Sequence, residues 1–258
     1  MRNIKLTLAY DGAKFHGWQM QPGIPTIQGA LVEAVRKITQ ESVLIYGASR
    51  TDAGVHALGQ VASFKTRSSL TPEELQRALN ALLSPEVRVI AAEEMGPGFH
   101  ARWQVLEKTY QYRIFRGEVL SPFQYRRVLH YPYPLHEEAM IAAAKFFEGE
   151  HDFSSFAASS GSEEIDRDRS PVRLIRHSEI VRCAGSDELV YVITGKSFLR
   201  YMVRKIVGTL LDVGREKFKP EDIPRLFEMR DRSASGPTAP PEGLYLVALK
   251  YPEIWEIQ

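Results

Sequence analysis

Between Gly47 and Ala57 the chain reads Gly-Ala-Ser-Arg-Thr-Asp-Ala-Gly-Val-His-Ala, which sets Arg50, Asp52 and His56 among small residues. Small neighbours let a ligand approach the backbone closely. A carboxylate in such a loop is suited to act as a nucleophile or a general base at a sugar carbon. The same composition also suits an Asx-turn, in which Asp52 serves only its own backbone, and by composition alone that is the commoner outcome. A second group, Phe99, His100, Arg102 and Trp103, mixes rings and cations in the way that holds single-stranded or flipped nucleotides. Metal ligation finds no comparable pattern. Cys183 is the single cysteine, and the seven histidines show no H-E-x-x-H or similar spacing.

Charge narrows the choice of partner. With 33 Lys plus Arg against 32 Asp plus Glu, the net charge is +1, so bulk charge alone does not bind a polyanion. Distribution carries more information. Arg outnumbers Lys 22 to 11, and the guanidinium suits bidentate phosphate contacts and base stacking. Lys196, Arg200, Arg204 and Lys205 form one basic stretch without an acid, and Arg167, Arg169, Arg173 and Arg176 form another, diluted by Asp166 and Asp168. Local patches on a neutral chain fit a shaped groove for nucleic acid. The plainer alternative is a set of solvated helix and strand faces.

These residues need elements to hold them. A chain of 258 residues, 44% hydrophobic, can bury a full core. No run approaches the ~18 apolar residues of a membrane span. The N-terminus alternates Ile4, Leu6 and Leu8 with Lys5 and Thr7 instead of building a signal-peptide core, so a cytoplasmic protein is expected. The alternation at 3–10 predicts a strand, and Leu31, Ala34, Val35 and Ile38 predict a helix over 27–39. Strands at 43–48 and 60–66 follow. Thr71-Pro72-Glu73-Glu74 supplies an N-cap, a first-turn proline and a capping glutamate for the next helix, and a strand at 86–93 completes βαββαβ. The order repeats with a strand at 107–115, a helix at 136–148, strands near 172–182 and 189–195, a helix at 198–213, a short helix opened by Pro220 and a strand at 243–251. The expectation is an α+β protein of two tandem ferredoxin-like βαββαβ halves, residues 1–104 and 105–258, forming a mixed sheet with a central cleft. An insert at about 149–171, rich in Ser, Gly and charge, lies outside the repeat.

The motifs in order resemble one family. Arg50-Thr51-Asp52-Ala53-Gly54-Val55-His56-Ala57 is similar to the signature of the tRNA pseudouridine synthase A family. Tyr10-Asp11-Gly12, Phe15, Gly17-Trp18-Gln19-Met20-Gln21 and Thr26-Ile27-Gln28 resemble its N-terminal motifs. Phe99-His100-Ala101-Arg102-Trp103, Lys108-Thr109-Tyr110, Gly149-Glu150-His151-Asp152-Phe153, Ser170-Pro171-Val172-Arg173, Met202-Val203-Arg204 and Ala239-Pro240-Pro241-Glu242-Gly243-Leu244 follow in the family's order. Ordered motifs along nearly the whole chain are specific where a single Asp-Ala-Gly is not. Ser49 departs from the pattern, since the family usually has glycine there, and a positive φ at that position would carry a modest cost.

The resemblance implies isomerisation of uridine to pseudouridine at positions 38, 39 and 40 of the tRNA anticodon stem-loop. The N1–C1′ bond breaks and the base rejoins through C5. Neither a cofactor nor a metal is implied. Asp52 is the implied nucleophile, with attack at C1′ and a glycal route both open. Arg204 is its implied cationic partner. Tyr110 is implied to stack on the base and help deprotonate C5, Leu244 to pack on the base from the opposite side, and Arg50 to contact phosphate or the displaced nucleotide. Phe99, His100, Ala101, Arg102, Trp103, Arg167, Asp168 and Arg169 are the implied RNA contacts. The family also implies a homodimer. A non-catalytic protein that shelters the anticodon arm, or the same chemistry on another RNA, are the alternatives.

Overall fold

A computed structural model describes residues 1–157 and 170–253, and the chain divides into two compact units. The first comprises Met1–Lys108 with Tyr245–Gln258, and the second Thr109–Leu244. Sequence order assigns the last strand to the second half, whereas its contacts group all but its first residue with the first unit.

In the first unit, β1 (Arg2–Tyr10), α1 (Ile27–Thr39), β2 (Tyr46–Gly47), β3 (His56–Thr66), α2 (Pro72–Leu82) and β4 (Val87–Met95) follow the expected order. β1 lies between β4 and β3, antiparallel to both, and β2 pairs with the far side of β3. That is the ferredoxin-like arrangement. On one face Ile4, Leu6 and Leu8 are fully buried, as are Ile27, Leu31 and Val35 of α1 and Leu75 and Leu79 of α2. Val61 points to the opposite face by strand alternation and joins a second core with Ala48, Met95, Phe99, Ala101 and Val105. The caps form as the sequence predicts. Thr71 and Glu74 make a reciprocal capping box, and Thr26 caps α1.

In this unit two strand starts differ from the sequence reading by three residues or more. β2 shrinks to Tyr46–Gly47, and β3 starts at His56 instead of residue 60. Gln60 and Gly59 gave no apolar alternation to follow, yet Tyr245 and Leu246 pair in parallel with His56 and Ala57 and hold that end of β3 in the sheet. His56 is therefore on a strand, and the connecting loop is only residues 48–55.

In the second unit, β5 (Glu107–Phe115), which begins in the first unit, leads through β6 (Leu129–His130), α3 (Glu137–Lys145) and β7 (Gly149–Asp152) to the hairpin of β8 (Val172–Arg182) and β9 (Glu188–Gly195). The strand order is β5-β9-β8-β7. β6 and β7 were too short to show a period. α4 (Met202–Gly214) is buried along almost its whole length, and α5 (Ile223–Met229) follows a 3-10 turn opened by Pro220. A helix apolar on nearly every side belongs in a core. α4 starts at Met202 and not at 198, because Tyr201 adopts φ 60, a left-handed conformation that the preceding turn of a helix does not share. The chain closes on β10 (Leu244–Lys250).

Candidate active site

The Asp52 loop is built between two strands and braced by the chain that follows β1. After Tyr10, Asp11 caps a single 3-10 turn by accepting from the Ala13 amide at 3.0 Å. Gly12 lies so close to the loop that a Cβ there would meet the Val55 carbonyl at 1.9 Å. Gly17, at φ +86, has the same constraint, with Thr51 O 2.5 Å from a built Cβ. Hydrogen bonds fix the approach: the Trp18 amide donates to Thr51 O at 3.0 Å, and the Gly54 amide to Phe15 O at 3.2 Å. These bonds bracket Asp52, which is half-buried.

Side chains secure the same segment. Trp18 is buried against Gly47 and anchors its loop there. Gln60, fully buried, donates to Ser49 O at 2.7 Å and accepts from the Ser49 amide at 3.3 Å. It also reaches the Tyr10 hydroxyl at 3.4 Å, and that hydroxyl lies 2.8 Å from Thr51 Oγ1. Lys108 Nζ donates to Ala48 O at 3.0 Å and to Ser49 Oγ at 3.3 Å. Burial, with a smaller effect of Arg102, pushes the Lys108 ammonium down to about 8. Ser49 is not among the described non-glycine residues with positive φ, so the conformational cost expected for it does not arise. Sequence reasoning missed Gln60, Tyr10 and Lys108 as parts of this network. The signals available were the motifs that contain Tyr10 and Lys108 and a glutamine inside β3, none of which ties these residues to Ser49 before folding.

His56 is buried, and its Nδ1 accepts from the Gly12 amide at 3.1 Å and lies 3.1 Å from Asp11 Oδ1. Its ring stacks on Tyr245 with centroids 4.7 Å apart. Arg50, next to Asp52 in sequence, is exposed.

A ring-and-cation surface lies on the same unit. Tyr46 and His100 have centroids 4.6 Å apart, His100 and Trp103 5.6 Å, and the Arg102 guanidinium sits 5.1 Å from the Trp103 ring centre. Trp103 is 68% exposed. Burial, helped by Arg102 and Lys65, holds the His100 imidazole below the usual histidine range. Phe99 and Ala101 do not share this surface. Both side chains are core residues, so of the five residues of the 99–103 motif only His100, Arg102 and Trp103 present side chains to solvent. Tyr46, which the sequence reading passed over, joins them.

In the second unit, Tyr110 is buried and meets Phe198 edge-on at 5.1 Å. Arg204 Nε donates to Ala239 O at 2.7 Å, while the Ala239 amide donates to Arg204 O at 3.0 Å. This clasp lays the segment before β10 along α4, where a Cβ on Gly208 would meet Pro237 O at 1.6 Å. Tyr201 lies beneath two cations, with the Arg200 and Arg204 guanidinium carbons each 4.9 Å from its ring centre. Of the expected basic stretch, Lys196 and Arg200 are exposed, whereas Lys205 is buried and donates to Arg232 O at 2.9 Å. Leu244 is buried at the start of β10. Asp52 and Arg50 thus belong to the first unit and Tyr110, Arg204 and Leu244 to the second. Arg167, Asp168 and Arg169 lie outside the described residues.

Over residues 7–104 and 143–252 the sequence matches the family model described as tRNA pseudouridine synthase. It is 47% identical over 251 residues to the tRNA pseudouridine synthase A of Solibacter usitatus, covering 97% of this chain and 100% of that one. The chain belongs to the tRNA pseudouridine synthase family. Members of this family isomerise uridine to pseudouridine in tRNA. The tRNA pseudouridine synthase A of Caldicellulosiruptor saccharolyticus is 44% identical with the same coverage. A solved structure titled "Crystal Structure of a Cbf5-Nop10-Gar1 Complex" aligns with 81% of this chain and 45% of that chain at 14% identity and TM-score 0.35, too low to add to the family assignment.

Proposed function

We propose that this protein converts uridine to pseudouridine at positions 38, 39 and 40 of the tRNA anticodon stem-loop, with Asp52 as the nucleophile. The observation that carries the assignment is the bracing of Asp52: Trp18 N–H to Thr51 O on one side and Gly54 N–H to Phe15 O on the other. An Asx-turn aspartate needs no such framework. Asp52 either bonds to C1′ as N1 departs or removes a sugar proton to release the base as a glycal, and in both routes the freed uracil turns and rejoins through C5. Arg204 is the proposed partner that keeps the carboxylate ionised. Tyr110 is proposed to stack on the base and to assist loss of the C5 proton, with Leu244 packing opposite and Arg50 on phosphate. His100, Arg102 and Trp103 are proposed to hold RNA.

We further propose a homodimer on which one tRNA spans two chains. Val119, Phe123, Tyr125 and Tyr133 of the second unit are between 66% and 85% exposed, large apolar side chains that are open to contact with another chain. A monomeric mass in light scattering would oppose the dimer. No helix among the described residues is long and apolar enough to cross a membrane, and a cytoplasmic site of action is proposed for an enzyme of tRNA.

The test is Asp52→Asn. The substitution preserves shape, so the fold changes little. Product mapping on unmodified tRNA is expected to find no pseudouridine at 38–40, while tRNA affinity stays within about tenfold, ~1.4 kcal/mol. A folded variant that still forms pseudouridine at a substantial rate removes Asp52 from the mechanism.

A further inference from the structure

We infer that Lys108 is a positioning residue for the Asp52 loop, acting through Ala48 and Ser49, an assignment that rests on Asp52 being the nucleophile. Lys108 sits on β5, 59 residues from Ser49 in sequence, and its ammonium crosses to the stem of the loop to donate to Ala48 O and Ser49 Oγ. From Ser49 the contacts run on without a gap. Gln60 holds both backbone polar groups of Ser49 and touches the Tyr10 hydroxyl, which meets Thr51, the residue before Asp52. Lys108 is thus the first member of a polar chain that ends one residue from the carboxylate.

A purely structural part for this lysine is hard to reconcile with its cost. Ala48 N–H is already in the β3 ladder through Val61 O, and Val61, Phe99 and Val105 already supply the apolar packing nearby. A methionine of similar length would fill the space without desolvating a charge. What the ammonium adds is a directed tie to two acceptors at the base of the loop. Ser49 supplies one of the two acceptors through its side chain, which a glycine at that position would not. Both acceptors are neutral, and the charged group acting on Lys108 is Arg102, which opposes its charge. The tie is therefore sensitive to pH in the range where Lys108 loses its proton.

The experiment compares wild type, Lys108→Met, Lys108→Arg, Ser49→Gly and Asp52→Asn for pseudouridine formation on unmodified tRNA between pH 6 and 9.5. Lys108→Met is expected to lower kcat on the order of 10- to 100-fold, the effect of a small misplacement of the reacting group, with KM for tRNA within about threefold. Lys108→Arg, which keeps a cationic donor, is expected to recover part of kcat and to lack the alkaline decline. In wild type kcat is expected to fall above pH about 8, and in Ser49→Gly the fall should begin at lower pH, because one acceptor of the charged form is gone. Wild-type kcat in Lys108→Met, or equal losses in kcat and tRNA affinity, would overturn the inference. Should Lys108→Met fail to fold, an unmoved alkaline limb in Ser49→Gly overturns it alone. Activity in Asp52→Asn, by contrast, defeats the nucleophile assignment and is read separately.

Discussion

The Trp18 amide donates to the carbonyl of Thr51, the residue immediately before Asp52, at 3.0 Å. This bond forms only because Gly17 takes φ +86 and carries no Cβ to strike Thr51 O. Gly17→Ala is expected to cost about 1–2 kcal/mol from the left-handed backbone alone, with the clash in addition. The loss should appear in thermal melting and, through displacement of the Asp52 loop, as a fall in kcat larger than the change in tRNA affinity. Unchanged kcat in a folded Gly17→Ala protein would separate this loop from catalysis.

Trp103 supplies the next prediction. Its ring is exposed, with the Arg102 guanidinium 5.1 Å from its centre and His100 beside it. Stacking of one base on such a ring contributes about 1–3 kcal/mol. Trp103→Ala should therefore weaken tRNA binding by roughly 5- to 150-fold on that scale, with single-turnover kcat at saturating tRNA nearly unchanged. Trp103→Phe should recover much of the affinity. If filter binding shows Trp103→Ala equal to wild type, RNA passes elsewhere.

Local rules made part of this structure legible in advance. Thr71, Pro72 and Glu74 announce the start of α2, because a cap is decided within four residues. α1 follows from its apolar period. What local rules could not supply was any contact whose two sides meet only after folding. Lys108 and Ser49 are of this kind, as is the parallel pairing of Tyr245 with His56 that extends β3. The left-handed Tyr201 delays α4 by four residues, and nothing in the run from Ser197 to Tyr201 breaks a helical pattern. For the site, the Asp52 motif stood out through resemblance, whereas Phe99 and Ala101 lie in the core although their motif neighbours face solvent. A motif marks a segment, and the course of the turn between β4 and β5 decides which of its side chains reach a ligand.

Acid stability offers a prediction for the bracing loop. Glu86 holds Lys14 at 2.6 Å, and its backbone carbonyl accepts from the Asp11 amide. The Lys14 ammonium, with help from the Glu86 and Ser84 groups, lowers the Glu86 carboxyl to about 2 from 4.5. A depressed carboxyl stabilises the fold above its unfolded value, and that contribution fades as pH falls from about 4.5 toward 2. Glu86→Gln should flatten melting temperature against pH in that window and leave it unchanged in shape above pH 6. Since Lys14 is largely exposed, the effect should also shrink in high salt. Equal slopes for the two proteins between pH 4.5 and 2 would assign the acid sensitivity to other carboxylates.

Arg204 separates charge from geometry. Its Nε bond to Ala239 O and its backbone bond from the Ala239 amide lay residues 235–240 along α4. Arg204→Ala keeps the backbone bond and loses both the charge and the Nε donor, so a modest loss of stability, about 1 kcal/mol for one hydrogen bond, is expected with a much larger loss of activity. Arg204→Lys restores a cation without the planar fork. If the charge on Arg204 is what Asp52 needs, Lys should recover activity well above Ala although it cannot reproduce the Ala239 contact in the same geometry. Arg204→Gln, neutral but able to donate to Ala239 O, is the decisive companion. Activity in the order Arg, Lys, then Gln and Ala assigns the role to charge. The order Arg, Gln, then Lys and Ala would mean that Arg204 serves the segment before β10, and a partner for Asp52 would have to be sought among the other cations of the chain.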